Sequence, residues 1–168
     1  MTPQVSIIMG SKSDLPVMEK AAEILNSLKI PFEMNALSAH RTPAEVEDFA
    51  KTADSKGIKV IIAAAGMAAH LPGVIASMTI IPVIGVPIDV TLNGLDALLS
   101  IVQMPPGIPV ATVGINAAQN AGILASQILG LSDEKTAERL IDFKQGLKDK
   151  ITRANQDLSK VKYDYKVG

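Results

Sequence analysis

The chain has 168 residues, enough for one domain that buries most of its apolar surface without staples, and with no cysteine it can form neither a disulfide nor a thiolate metal site. Sixteen Lys and Arg against 17 Asp and Glu leave a net charge of -1, which argues against nucleic acid or an acidic membrane as the main partner, and aromatic residues at 3% leave little for base stacking. Hydrophobic residues at 48% must then pack as Ala, Ile, Val and Leu, and with only two histidines, His40 and His70, the candidates for a general acid or base near neutrality are few.

In chain order, Val5 to Met9 is an apolar run with strand character. Gly10-Ser11-Lys12-Ser13-Asp14 breaks that run before the apolar region of a signal peptide could form, so none is expected. A helical pattern follows, with Val17, Ala21, Ile24, Leu25 and Leu28 on one face. Pro31 to Leu37 suits a second strand. Thr42-Pro43-Ala44-Glu45 has the form of a capping box with Pro at the first helical position, predicting a helix to about Lys56 that Gly57 stops. The third strand is expected over Ile58 to Ala65, a short helix over Leu71 to Met78, and the fourth strand over Ile80 to Val86.

No Asp, Glu, Lys or Arg occurs from Val60 to Ile88. A hydropathy window would flag this stretch as a membrane span, but Gly66, Pro72, Gly73, Pro82, Gly85 and Pro87 cut it into pieces too short to cross one. Strands of a parallel sheet covered on both faces give the same apolar signal. A turn at Asn93-Gly94 leads into a helix from about Leu95 to Gln103, which Pro105-Pro106-Gly107 ends. The fifth strand is expected over Pro109 to Ile115, followed by an Ala-rich helix from Asn116 to Leu129 closed by Gly130.

Ser132 suits the N-cap of a charged helix from Asp133 to about Lys160, where Leu140, Leu147, Ile151, Ala154 and Leu158 form a narrow apolar stripe. Such a helix either packs back on its own sheet or lies across a neighbouring subunit. Five alternations of strand and helix with short connections call for a three-layer α/β/α sandwich with a parallel sheet. Residues 1–168 are read as a single domain, with a core at about 5–130 and a C-terminal helical extension at about 132–160.

Ligands of such a sheet bind at the carboxyl ends of the strands, and the polar clusters fall there. Ser11, Ser13 and Asp14 follow the first strand. Ser38, Ala39, His40, Arg41 and Thr42 follow the second, Gly66 to Gly73 with His70 follow the third, and Asn116 follows the fifth. The first loop offers backbone N–H groups, two hydroxyls and a helix start that suit a phosphate, although Ser13 or Asp14 could equally well only cap the helix. Arg41 is the natural counter-ion, with an ion pair to Glu45 as the plainer alternative. Two histidines at the same sheet edge beside a phosphate cradle favour a functional role over a structural one. With two His and no Cys, a protein-held transition metal is not expected.

Four segments taken together, Gly10 to Asp14, Ser38 to Pro43, Ala68 to Gly73 and Ser100 to Thr112, resemble one family in order and spacing from about Val5 to Leu129. It is the 5-(carboxyamino)imidazole ribonucleotide mutase family of de novo purine synthesis, also described as the phosphoribosylaminoimidazole carboxylase catalytic subunit family. The resemblance implies a flavodoxin-like fold and a cytoplasmic homo-octamer with C-terminal helices exchanged between subunits. It implies a ribonucleotide substrate whose carbamate is isomerised to a carboxylate on ring carbon 4, with no cofactor and no metal. Carried to this chain, it makes His40 the general acid/base and His70 a second catalytic candidate. Ser11, Ser13 and Arg41 would hold the phosphate end and Asp14 the ribose hydroxyls, with Ser38 and Ala39 beside them. Ala68, Ala69 and Leu71 would enclose the carboxylate and the carbon dioxide in transit.

A related branch, which carboxylates the aminoimidazole ribonucleotide directly, resembles His-Lys-Gly where this chain has His40-Arg41-Thr42 and lacks the Ala-Ala-His-Leu-Pro stretch. The chain departs from the mutase pattern at Ala64 and Met67, where Gly is usual, at Ala97, where Ser is usual, and in the loop Asp89 to Asn93, which is about one residue short. A third reading, of another class, is a non-catalytic nucleotide-phosphate sensor on the same scaffold.

Overall fold

The computed structural model describes residues 1–167. Five parallel strands, β1 Val5–Met9, β2 Phe32–Ala36, β3 Val60–Gly66, β4 Val83–Ile88 and β5 Ala111–Thr112, form one sheet in the order β2-β1-β3-β4-β5. The helices between and after them are α1 Leu15–Ser27, α2 Pro43–Thr52, α3 Leu71–Ala76, α4 Leu95–Val102, α5 Ala118–Gly130 and α6 Glu134–Lys160. This is the flavodoxin-like order, and it confirms the expected α/β/α sandwich.

Side-chain alternation divides the core into two layers. On one face Val5, Ile7, Val60, Ile62, Ile84 and Val86 pack under α1 and α5. On the other, Ile8, Ile61, Ala63 and Val83 pack under α2, α3 and α4. Both β3 and β4 are buried on both faces, which accounts for the charge-free stretch. Among the described residues no helix is long and apolar enough to cross a membrane. With few aromatics available, the layers approach closely through small residues. A Cβ at Gly122 of α5 would lie 2.3 Å from Ile24 Cγ2 and 3.1 Å from the Ala21 carbonyl oxygen, so α1 meets the α5 backbone there.

Several boundaries differ from expectation. On α1 Met18 is fully buried, as are Ala21 and Leu25, whereas Val17 is only half-buried. The α2 helix ends at Thr52, because the chain tightens into turns before Gly57 takes φ 90°. The β4 strand starts at Val83; Ile80 is fully exposed, the Ile81 N–H donates to Thr79 Oγ1, and Pro82 has no N–H. Only Ala111–Thr112 pair in β5. Pro87 turns its carbonyl to Asn116 N–H at that edge but has no N–H of its own to extend the ladder. Gly130 is the last residue of α5 and not a left-handed cap, since it lets Ala137 and Leu140 of α6 come close. Asp133, not Ser132, occupies the N-cap position of α6.

Helix α6 is anchored at its start. Thr136 and Leu140 are its buried residues, and the Arg139 guanidinium donates to the Leu28 carbonyl beyond the end of α1 at 2.9 Å. Beyond Leu140 the stripe residues Leu147, Ile151, Ala154 and Leu158 are exposed, so that part of the stripe does not pack back on its own sheet. Beyond α6, Lys166 Nζ donates to the carbonyls of Leu158, Ser159 and Val161, while Tyr163 and Tyr165 face solvent.

Candidate active site

The carboxyl ends of β1, β2 and β3 open onto a cleft of about 510 Å³ lined by the loops that follow them, with Val90 from the loop after β4. At the end of β1, Gly10 N–H donates to the Ala64 carbonyl and the chain turns away from the sheet. Ser11 Oγ then accepts from the Ser13 N–H at 3.3 Å and from the Ser13 hydroxyl at 2.9 Å, capping the 3-10 turn Lys12–Asp14. Asp14 holds the N-cap position of α1 but makes no side-chain cap bond, so the capping alternative belongs to Ser11.

In the second loop the Thr42 hydroxyl accepts from Ser38 N–H at 2.9 Å and donates to the Ser38 carbonyl at 3.2 Å. This replaces the expected capping box: Thr42 makes no side-chain bond to its own helix and instead closes the loop that carries His40. Among the described residues Arg41 pairs with neither Glu45 nor any other carboxylate. Its Nη2 donates to the Gly10 carbonyl at 2.8 Å, and its backbone N–H donates to Ser38 Oγ at 3.2 Å. The guanidinium thus ties the second loop to the first and faces the cleft beside Ser11 and Ser13.

Asp14 is nearly buried. Burial raises its carboxyl above the ordinary carboxylate value, against the opposing pulls of the Ser13 hydroxyl and the Arg41 guanidinium. The histidines meet across the cleft, with His40 Nε2 and His70 Nδ1 2.8 Å apart and the rings edge to face at 84°. Among the described residues no three His, Cys, Asp or Glu side chains are grouped to hold a metal ion.

The third loop explains one departure noted in the sequence. Met67 has φ 55°, the left-handed region where an L side chain is strained and where a glycine sits freely. A second departure, Ala97, is fully buried among apolar residues and has no need of a hydroxyl. Three consecutive positive φ values, at Leu92, Asn93 and Gly94, accommodate the short loop after β4. Asn116, also left-handed, accepts the Asp89 N–H at 3.0 Å and pins that loop from the β5 side.

Of the predicted residues, Ser11, Ser13, Asp14, Ser38, Ala39, His40, Arg41, Ala68, His70 and Leu71 line the one cleft. Ala69 does not; its side chain is buried in the apolar layer beneath, with Leu71 and Ile75. Sequence reading missed Ala65 and Val90. The signal for Val90 was an apolar residue in the loop after the fourth strand, and Gly66 admits it, since a Cβ there would lie 2.5 Å from Val90 Cγ2.

Fold and cleft together define a doubly wound α/β protein whose polar loop residues, Arg41 among them, gather in a cleft at the carboxyl edge of its sheet. Residues 4–150 match the family described as AIR carboxylase. The N5-carboxyaminoimidazole ribonucleotide mutase of Thermotoga maritima is 55% identical over 162 residues, covering 96% of this chain and 95% of the relative. That of Pyrococcus abyssi is 58% identical over 147 residues, covering 87% and 84%. The crystal structure of Treponema denticola PurE superposes with a TM-score of 0.85 at 30% identity, covering 93% of this chain and 98% of that one. The chain belongs to the AIR carboxylase family.

Two outcomes follow from the site. Replacing Met67 by Gly relieves the left-handed strain and replacing it by Ala does not, so urea unfolding should place Met67→Gly about 0.5 to 1 kcal/mol above Met67→Ala, the reverse of the usual order of these residues. Because the folded-state pKa of Asp14 is raised, its contribution favours folding below the unfolded value and is lost as pH rises through the folded one. Asp14→Asn should therefore gain stability over the parent at pH 7, and the gain should shrink as both are acidified toward pH 4; unfolding midpoints at matched protein concentration measure this.

Proposed function

We propose that this chain is an N5-carboxyaminoimidazole ribonucleotide mutase of purine synthesis, moving the carboxylate from the exocyclic amine to ring carbon 4. The observation that carries this reading is a single cleft in which a cationic, hydroxyl-rich cradle, an imidazole and an apolar wall lie side by side. Its volume suits a mononucleotide. Ser11, Ser13 and Arg41 supply charge-assisted donors for the phosphate. Asp14, an acceptor when ionised, suits the ribose diol, and Ser38 and Ala39 border the same loop.

The chemistry asks for one group that gives a proton and later takes one. When the bond from nitrogen to the carboxyl carbon breaks, carbon dioxide leaves, the electron pair stays on nitrogen, and His40 protonates it to the amine. Ring carbon 4 then attacks carbon dioxide, and His40 takes the proton that this carbon held. Atoms and charge balance, His40 is regenerated, and neither cofactor nor metal enters. Ala65, Ala68, Leu71 and Val90 form an apolar wall that keeps carbon dioxide close to its acceptor and away from water. Ala69 supports that wall from beneath.

His40→Asn should lower kcat on N5-carboxyaminoimidazole ribonucleotide by roughly 10² to 10⁴ while the protein stays folded. Wild-type turnover in this variant would sink the assignment. The family description leaves direct carboxylation as the second reading; efficient product formation from aminoimidazole ribonucleotide and low bicarbonate, with poor use of the carbamate, would favour it. Tight ligand binding with no product from either substrate would leave the sensor reading.

The exposed stripe of α6 supports assembly into a homo-octamer with exchanged C-terminal helices, each chain serving as one domain of a cytoplasmic enzyme. Light scattering should then give eight times the chain mass, and a monomer would exclude this.

A further inference from the structure

We propose that His70 is the positioning partner of His40: its Nδ1 accepts the Nε2–H of His40 and so fixes the orientation of that imidazole in the cleft. This deepens the mutase reading and rests on it for its catalytic meaning, although the pairing itself is a property of the free protein. Two ring nitrogens 2.8 Å apart can share one hydrogen but cannot each carry one. The rings stand edge to face at 84° with centroids 4.9 Å apart, which directs nitrogens in the ring planes at each other and is not the geometry of a parallel stack.

Each ring sits on its own frame. His40 rides on the loop that Ser38 and Thr42 close. His70 begins α3, with its N–H donating to the Ala68 carbonyl at 2.8 Å and its carbonyl accepting from Val74 N–H at 2.9 Å. A catalytic imidazole is commonly oriented by a carboxylate or a backbone carbonyl. Among the described residues no such acceptor bonds to His40, and the other histidine takes that place.

The charged groups that share the cleft are Asp14, from the first loop, and Arg41, from the second. The loop before α3, α3 itself and the Val90 loop bring none to it. The acceptor available to the His40 N–H in this cleft is therefore the lone pair of His70 Nδ1. His70 acts through His40 and is a positioning residue.

Because the chain has only two histidines, magic-angle-spinning spectra of ¹⁵N-histidine protein can be assigned with one variant. The proposal expects a hydrogen-bonded Nε2–H on His40 and an accepting Nδ1 on His70 in the parent, with the His40 Nε2 signal moved when the acceptor is removed in His70→Leu. A His40 spectrum unchanged by His70→Leu would overturn it whatever the enzyme assay gives. In the assay, His70→Asn retains an acceptor and should exceed His70→Leu in kcat by roughly tenfold, the worth of one hydrogen bond. Equal losses would reduce His70 to a steric role. Loss of activity on the carbamate in the parent would instead strike the mutase reading and leave the spectroscopic result standing.

Discussion

A parallel sheet covered by helices on both faces has nowhere to keep a charge except at the ends of its strands, and the rest of this molecule follows from that constraint. The β3 and β4 strands are buried on both sides, so their residues are aliphatic or small and polar groups gather in the loops at the carboxyl edge. Since all five strands run the same way, those loops meet at one edge. The crossover order sets β1 between β2 and β3, and the loops of these three neighbours bring the phosphate cradle, His40 and His70 together.

The site is held by a few hydrogen bonds between loops. Arg41 is committed at one nitrogen to the Gly10 carbonyl, and a charge held by the backbone is already oriented when an anion arrives. Asp14 sits below it, nearly buried, with its carboxyl raised by burial despite the nearby guanidinium. The loops carry backbone strain at Met67, which lines the cleft, and at Leu92 in the loop that also supplies Val90.

Much of this was legible in the sequence because it rests on local pattern. Apolar runs bounded by Gly and Pro located the strands, and the polar clusters after them located the cleft. What escaped depends on contacts between distant segments. Pro87 cuts β5 short from the neighbouring strand, which the composition of Pro109 to Ile115 does not reveal. The Thr42 hydroxyl has both a helix and a loop within reach, and only the folded position of Ser38 decides between them. Ala69 and Ala68 are chemically identical neighbours, separated by the turn that buries one and exposes the other. His40 and His70 stand 30 residues apart, and no periodicity encodes their contact.

The tail after α6 has a consequence for anyone who follows this protein by light. The chain has no Trp, and its two tyrosines, Tyr163 and Tyr165, both lie exposed beyond that helix. Near-ultraviolet absorbance and intrinsic emission therefore come chiefly from the last few residues, while the sheet and the cleft are almost dark. Unfolding of the sandwich leaves this signal little changed, whereas burial of the tail against another chain alters it. A clipped tail removes most of the protein's visibility at 280 nm and leaves the cleft intact.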